Sequence, residues 1–338
     1  MKALVLKEKG RFAYEQRQIP ACAEDEVLVR PDVVSICGSD IHAIKGNLGF
    51  FQYPRVIGHE VSAHVVERGK NARSFEIGDH VCLMPCISCG KCLPCRRGVT
   101  NACANLRLYG VHVDGGLQEY FAVPEKYLLK LPNCVTSEQA SLIEPMTIGI
   151  HAARKIAPQA GDNVLILGAG PIGLCCAMAV SAMGAKPVMA DISAVRRRFA
   201  GERFGFAALD PMSETYLEEI RSRTDGDLFY GVMDTTANKT SMQSTYRLIC
   251  HGGRIVFIGV LNGTLEIDGA RFHMLEPTLM TSRNSTRSDY EFALERLVSR
   301  ELKPEGMITD RFPFDDASER LLRPTTPETA PVKQIVLM

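Results

Sequence analysis

Three features are missing from this 338-residue sequence. It has no net charge, because 39 basic residues balance 39 acidic ones, so it offers no general attraction to nucleic acid or to an anionic membrane. No apolar run approaches the ~18 residues that a membrane-spanning helix needs. The first residues, MKALVLKEKGRF, flank a short apolar stretch with charges, which predicts a first strand and not a secretion signal. We therefore expect a soluble cytoplasmic protein.

The sequence contains 12 cysteines. In a chain without export signals we expect these thiols to be reduced, because the cytosol keeps them so. Reduced cysteines are core residues, metal ligands or nucleophiles, and their spacing is the first guide to which.

The chain changes character along its length, which fits two domains of ~100–200 residues each. The first 150 residues contain short β-type runs between glycine and proline turns, such as RVIGHEVSAHVVE. After Glu144, strand and helix patterns alternate through NVLILGAG, PIGLCCAMAVSAMGA and KPVMADIS. This alternation predicts an α/β protein with a doubly wound parallel sheet. The last fifty residues are mixed and end in a strand, VKQIVLM.

The segment NVLILGAGPIG carries a glycine pattern typical of dinucleotide binding. Gly168 permits a tight turn, Gly170 lets the backbone approach a pyrophosphate, and Gly173 lets helix and strand pack closely. The N-terminus of the following helix offers free N–H groups to the phosphates. The alternative is a glycine-rich turn without a ligand. The predicted cofactor-binding residues of the turn are Gly168, Gly170, Pro171, Ile172 and Gly173.

Asp191 ends the next predicted strand, where a carboxylate accepts hydrogen bonds from ribose hydroxyls and repels a 2′-phosphate. We therefore predict NAD and not NADP. Arg196, the first of three consecutive arginines, is a further candidate for cofactor binding. The alternative for this run is a solvated helix face.

Four cysteines stand close together in the sequence. Three have the spacing C-x-x-C-x-x-C, and the fourth follows after seven further residues. Four thiolates with no open position predict a closed, structural zinc site, which cannot activate substrate. The alternatives are a redox pair or a disulfide knot. Cys86 is a fifth thiol that is either a spectator or a competing ligand. The predicted ligands are Cys89, Cys92, Cys95 and Cys103.

A second set of polar residues is dispersed over three motifs, ICGSDIH, GHE and LIEP. A thiol, an imidazole and one or two carboxylates form a mixed ligand set, and zinc with three protein ligands keeps a position for substrate. Each residue alone is ordinary, so the case depends on the set and its order. Its members are Cys37, Ser39, Asp40, His42, His59, Glu60 and Glu144.

Together, CGSDIH, GHE, the four-cysteine segment, DGGLQEY, EP and GAGPIG make the chain resemble the zinc-containing medium-chain dehydrogenases, the alcohol and sorbitol dehydrogenase family. The resemblance covers essentially the whole length. It implies a GroES-like β-barrel catalytic domain formed by residues 1–150 and 285–338, and a Rossmann NAD-binding domain formed by residues 151–284. We further expect a homo-oligomer, either a dimer or a tetramer.

The resemblance also implies residue roles. Cys37 and His59 bind a catalytic zinc, and Glu60 or Glu144 completes the ligand set. Alcohol dehydrogenases proper often carry cysteine near the position of Glu144, whereas the polyol and threonine branches carry glutamate, as here. The catalytic proton relay runs through Ser39, the cofactor ribose and His42 to solvent, and Glu60 is a further catalytic candidate.

Within the family, the segments YPRVIGHE, GVHVDGG, HGGRIVFIGV and TSRNST are similar to bacterial sugar-acid dehydrogenases of the L-galactonate or L-gulonate 5-dehydrogenase type. This implies that NAD oxidises a secondary hydroxyl of a sugar acid. An arginine holds a carboxylate best, through paired hydrogen bonds, so Arg283 is the first substrate candidate and Arg55 the second. For each, the alternative is a structural ion pair. Ala237 departs from relatives that often have glycine there.

Two other functions remain open. The first is a dehydrogenase of a neutral polyol or of L-threonine, which a substrate panel would distinguish. The second is a non-catalytic NAD-binding regulatory protein. The intact mixed ligand set argues against the second and also against a zinc-free quinone reductase of the same fold.

Overall fold

A computed structural model describes residues 1–326 and 329–338. Contacts divide the chain into two units. The first comprises Met1–Pro145, Ser285–Ser299 and Lys303–Met338, and the second comprises Met146–Asn284 and Arg300–Leu302. The domain boundaries drawn from the sequence, near residues 150 and 284, stay a prediction. Within the described ranges, no helix has the length and apolar character needed to cross a bilayer.

Short strands dominate the N-terminal part of the chain, where β-branched residues and turn signals alternate. In chain order its elements are β1 (Lys2–Glu8), β2 (Arg11–Gln16), β3 (Glu26–Ser35), α1 (Gly38–Ile44), β4 (Arg55–Val56), β5 (Glu60–Arg68), β6 (His80–Leu83), β7 (Cys86–Ile87), α2 (Leu93–Arg96), β8 (Arg107–Leu108), β9 (Phe121–Pro124), β10 (Leu128–Lys130) and α3 (Ser137–Ser141).

Strands and helices alternate through the central part, and the chain ends with two further helices and strands. The central elements are α4 (Ile143–Ile156), β11 (Asn163–Leu167), α5 (Pro171–Ala182), β12 (Lys186–Ala190), α6 (Ala194–Phe204), β13 (Ala207–Leu209), α7 (Tyr216–Arg223), β14 (Phe229–Asp234), α8 (Lys239–Ser244), β15 (Ile249–Phe257), α9 (Gly269–Leu275) and β16 (Thr278–Thr281). The C-terminal elements are α10 (Arg287–Val298), β17 (Ile308–Pro313), α11 (Ala317–Arg320) and β18 (Lys333–Leu337).

The first unit is built on a seven-stranded sheet in the order β10-β6-β5-β3-β18-β17, with β9 also paired to β3, and on a smaller sheet in the order β2-β1-β4. The long strand β3 organises the larger sheet. Its last residue, Ser35, lies opposite Glu60 of β5 on one side and opposite Ile335 of β18 on the other. The C-terminal strand therefore lies in the same layer as the start of β5, where the mixed ligand set begins.

The second unit contains a six-stranded parallel sheet in the order β13-β12-β11-β14-β15-β16. Its first strand, β11, pairs with β12 on one side and with β14 on the other, so the strand order reverses at β11. Ligands of such sheets bind at this switch point, beyond the carboxyl ends of the strands. The predicted fold class, a β-rich domain with a doubly wound parallel sheet, is confirmed.

Candidate metal centres and cofactor turn

Three ligand-type side chains of the first unit converge at the start of α1 and of β5. Cys37 immediately precedes α1, His59 immediately precedes β5, and Glu60 begins that strand. Their ligand atoms all lie within 4.8 Å of one another. His59 and Glu60 are buried and Cys37 is half-buried. One thiol, one imidazole and one carboxylate suit tetrahedral zinc with a position left for substrate.

Asp40, a member of the predicted set with no role of its own in the sequence patterns, holds this set together. Its carboxylate accepts hydrogen bonds from the N–H of Cys37 at 2.9 Å and from the N–H of Gly58 at 3.4 Å. Its Oδ1 also lies 3.6 Å from His59 Nδ1. The signal that could have identified it is the capping box that it forms with Cys37 at the start of α1.

The charges around His59 favour a cation at this point. Burial by itself lowers the pKa of His59, but the negative charges of Asp40 and Cys37 outweigh burial and raise the pKa well above its ordinary value. A positive charge at this point is therefore favourable. A zinc ion would supply that charge, so the residues present fit the metal.

The two candidate carboxylates differ in their surroundings. Glu60 is fully buried and accepts hydrogen bonds from the hydroxyl of Ser35 and, at 2.6 Å, from Nζ of Lys333. Glu144, in the first turn of α4, is buried but lies outside the 4.8 Å set. Burial raises the pKa of Glu144 to about 7, a rise that His59 opposes and Glu60 reinforces. Glu60 thus groups with the thiol and imidazole, and a ligand role for Glu144 stays a prediction.

Ser39 and His42 both lie on α1, three residues apart, and therefore on one face of the helix. Ser39 is half-buried and His42 is exposed. The increase in exposure from Ser39 to His42 agrees with the direction in which a proton would leave the site. The relay itself stays a prediction.

The four-cysteine segment forms a lobe that the pairing of β7 with β8 closes. Cys92 Sγ lies 3.3 Å from the sulfur of Cys95 and 3.8 Å from that of Cys103. The sulfurs of these three residues and of Cys89 all lie within 4.8 Å of one another. All 12 cysteines are free thiols. Four convergent thiols are the donor set of a closed structural zinc site.

The electrostatics of the lobe also fit a metal. Hydrogen bonds from the backbone N–H groups of Lys91 and Cys92 lower the pKa of Cys89 to about 6, whereas burial raises the pKa of Cys95 to about 12. A divalent cation that binds these thiols would displace their protons. Cys86 lies on β7, outside this four-thiol set, and its role stays open.

The glycine turn between β11 and α5 leaves space at one position and none at two others. Gly168 has a φ of 100°, and a Cβ there would lie 2.4 Å from Thr235 Oγ1. A Cβ at Gly173 would lie 1.9 Å from the carbonyl oxygen of Gly168. A Cβ at Gly170 would meet only Arg196 Nη1, at 3.8 Å. Gly168 and Gly173 therefore serve the fold, whereas Gly170 leaves space that a ligand can use.

The helix α5 begins at Pro171, and Ile172 follows; both are half-buried. Gly170 is the residue before the helix and has no side chain with which to cap it. The N–H groups of the first turn are therefore suited to an anion such as a pyrophosphate. The roles of these three residues toward a cofactor stay predictions.

Asp191 stands directly after β12, and both of its carboxylate oxygens are engaged. Oδ2 accepts a hydrogen bond from the N–H of Ala169 and Oδ1 one from the N–H of Ser193, each at 2.8 Å. Of the three arginines, Arg197 pairs with Asp210 at 2.7 Å and serves the fold. Arg196 lies 3.8 Å from Asp191, and its role toward a cofactor stays a prediction.

The two arginines suggested for a substrate carboxylate lie in different units. Arg55 belongs to the first unit, and its Nη1 lies 3.2 Å from Asp114 Oδ1, which is the ion pair named as its alternative. Arg283 belongs to the second unit and follows β16. The role of each in binding a substrate stays a prediction.

Comparison with known proteins places these features in context. Residues 23–133 match the alcohol dehydrogenase GroES-like domain, and residues 171–299 match the zinc-binding dehydrogenase domain. The chain is 38% identical over 319 residues to the L-galactonate-5-dehydrogenase of Escherichia coli K12, covering 94% of each chain. It is 30% identical over 331 residues to the sorbitol dehydrogenase of Bacillus subtilis 168, covering 96% of this chain and 94% of that one.

The fold is also similar to that of a solved alcohol dehydrogenase structure. The chain superposes with a TM-score of 0.92 and 29% identity on an Escherichia coli CFT073 protein described as a short chain alcohol dehydrogenase complexed with NADH, covering 100% of this chain and 99% of that one.

Proposed function

This chain belongs to the family of zinc-binding alcohol dehydrogenases, and we propose that it oxidises a secondary hydroxyl of a sugar acid of the L-galactonate or L-gulonate type. The predicted family, the pairing of a GroES-like with a Rossmann domain, and the zinc and NAD(H) dependence of a dehydrogenase are confirmed. The protein is an oxidoreductase that acts on a small molecule. The substrate within that class is the proposal.

The observation that carries the proposal is the convergence of Cys37, His59 and Glu60 within 4.8 Å, together with the 38% identity to an L-galactonate-5-dehydrogenase. Zinc held by these residues would supply Lewis acidity, which lowers the pKa of a hydroxyl group near it. The chain itself orients the ligands through Asp40 and Lys333. Ser39 Oγ would accept the hydroxyl proton while giving up its own, which would pass by way of the cofactor ribose to the exposed imidazole of His42 and then to water.

Separate residues would hold the cofactor and the structural zinc. The glycine turn before α5 would bind the pyrophosphate, Asp191 the adenosine ribose and Arg196 an edge of the nucleotide. The lobe ligands would hold a zinc that stabilises the fold without touching the substrate. These ligands are Cys89, Cys92, Cys95 and Cys103.

A sugar acid requires a cation for its carboxylate, which supports an arginine in the substrate site. We propose Arg283 first, because it lies in the segment TSRNST, which is similar to sugar-acid dehydrogenases, and Arg55, which pairs with Asp114, second. In the test, NAD reduction is measured over aldonates, neutral polyols and L-threonine, for the wild type and for Arg283→Ala. The control is Arg323→Ala, which removes an exposed arginine paired with Glu319.

The proposal predicts turnover of L-galactonate or L-gulonate. Arg283→Ala should lower kcat/KM for the aldonate by about 10- to 100-fold, the scale of a lost charge-assisted hydrogen bond, and should hardly change that for a polyol of the same length. Equal losses on both substrates would assign Arg283 to the cofactor or the fold. The 30% identity to a sorbitol dehydrogenase favours a second candidate, a neutral polyol dehydrogenase, and turnover of sorbitol without any aldonate would select it.

We also propose a homo-oligomer, a dimer or a tetramer, that works in the cytoplasm. The free thiols are compatible with a reducing compartment. On the second unit, Val260, Ile267 and Met274 expose large apolar side chains, which a contact with a second copy could cover. Light scattering that found only monomer at micromolar concentration would exclude the oligomer.

A further inference from the structure

A buried lysine lies beside the mixed ligand set. Lys333, the first residue of β18, is 3% exposed at its side chain, and its partner Glu60 is fully buried. Its Nζ lies 2.6 Å from each of the two carboxylate oxygens of Glu60. Ser35, between them in the sheet, donates its hydroxyl to the same carboxylate.

Such a pair requires an explanation, because lysine is almost never fully buried unless it is paired. Removing one member of a buried ion pair leaves an uncompensated charge, which is strongly destabilising. Other acidic groups lie near this point. Asp40 and Glu144 are also buried, and Cys37 is the thiol of the set. A fixed cation here stabilises the carboxylate when no metal is bound.

The contact between Lys333 and Glu60, which is stabilising without a metal, becomes unfavourable once a metal is bound. Both oxygens of Glu60 already accept hydrogen bonds, so a zinc ion must share the carboxylate with Lys333. Two cations that share one carboxylate also repel each other at short range, and this repulsion is large where water is excluded. The lysine therefore opposes zinc binding through Glu60.

We propose that Lys333 is a positioning residue that competes with zinc for Glu60, holding the carboxylate in the metal-free protein and limiting the affinity of the Cys37–His59–Glu60 site for zinc. This inference rests on the zinc assignment in the proposed function. It goes beyond that assignment because it gives Lys333 opposite effects on two states of the protein. A lysine with only a structural role would stabilise both states alike.

The test compares Lys333→Met with the wild type, with Lys333→Arg and with Lys130→Met. Lys130 forms an exposed pair with Asp79 at 2.6 Å and is the matched control. Two quantities are measured for each protein: the melting temperature of the metal-free form, and zinc retained per chain against a graded chelator.

Lys333→Met should melt at a lower temperature when metal-free and should retain zinc about 10- to 100-fold more tightly, the size of a typical coupling between two binding events. Lys333→Arg and Lys130→Met should resemble the wild type in both measurements. Unchanged or weaker zinc retention in Lys333→Met would overturn the proposal. If Lys333→Met does not fold, Lys333→Gln keeps a hydrogen-bond donor while removing the charge, and the same change in zinc retention is required of it.

A parallel measurement on Cys37→Ser separates this inference from the assignment beneath it. If Cys37→Ser loses no zinc, the zinc assignment of the proposed function fails, and the competition by Lys333 fails with it. If Cys37→Ser loses one zinc and the Lys333 variants retain zinc as the wild type does, only the inference about Lys333 is overturned.

Discussion

Replacing Asp191 by serine should weaken the binding of NAD far more than that of NADP. The carboxylate is 8% exposed and is fixed by hydrogen bonds from the N–H groups of Ala169 and Ser193. It therefore cannot turn away from a 2′-phosphate placed on the neighbouring ribose. The same two hydrogen bonds hold its oxygens where ribose hydroxyls can donate to them.

The size of the discrimination follows from this fixed charge. Two like charges about 6 Å apart at an effective dielectric constant of about 20 repel by about 3 kcal/mol. Arg196, whose Nη1 lies 3.8 Å from Asp191 and whose side chain is 42% exposed, offsets part of this repulsion. We therefore expect wild type to prefer NAD by about 30- to 100-fold in kcat/KM, since each 1.4 kcal/mol is about a factor of ten.

The assay is the initial rate with NAD and with NADP at a saturating concentration of one substrate. Asp191→Ser should lower kcat/KM for NAD by at least about tenfold and that for NADP by much less. Asp191→Asn, which removes the charge and keeps the side-chain size, is the control for steric effects. Equal use of both cofactors by wild type would refute the reasoning. Arg196 would then be a phosphate contact, and Arg196→Ala should lower the rate with NADP alone.

Three further outcomes follow from the structure. Cys37→Ser should lose one zinc and all activity while staying folded, whereas Cys92→Ser should lose the other zinc and melt at a lower temperature; metal analysis checks both. Gly170→Ala should melt like wild type but bind NAD at least about tenfold more weakly by calorimetry, because only a ligand needs that space. Burial and the neighbouring charge of His64 lower the pKa of His80 in the folded protein. The folded protein should therefore lose stability as the pH falls from 6.5 toward that lower pKa, because the unfolded chain binds the proton first. His80→Gln should flatten the pH dependence of the melting temperature in this range.

The sequence predicted best what depends on short spacing. The four lobe thiols lie within fifteen residues, and the backbone N–H groups that hydrogen-bond to Cys89 come from Lys91 and Cys92. The glycine turn is local in part, because the contact that excludes a side chain at Gly173 is with Gly168, whereas the one that excludes a side chain at Gly168 is with the distant Thr235. Such sites are largely determined by one segment, and the rest of the fold has only to leave them exposed to their ligand.

What could not be predicted depends on pairings far apart in the sequence. Lys333 and Glu60 are 273 residues apart, and only the register of β18 and β5 on either side of β3 brings them together. The choice between Glu60 and Glu144 is of the same kind. Both are glutamates in plausible motifs, and their difference lies in the partners that the sheet supplies.

The two zinc sites depend on the fold to different degrees. The lobe can form whenever its own segment is ordered, since its ligands and their hydrogen-bond donors come from the same loop. The geometry of the Cys37–His59–Glu60 set depends on the pairing of β3 with β5 and β18, because Ser35 and Lys333 hold one of its three ligands. Zinc binding at that set therefore depends on strand pairings that the lobe does not need. A substitution anywhere along the β3–β18 pairing should change zinc binding at the mixed set before it changes zinc binding in the lobe.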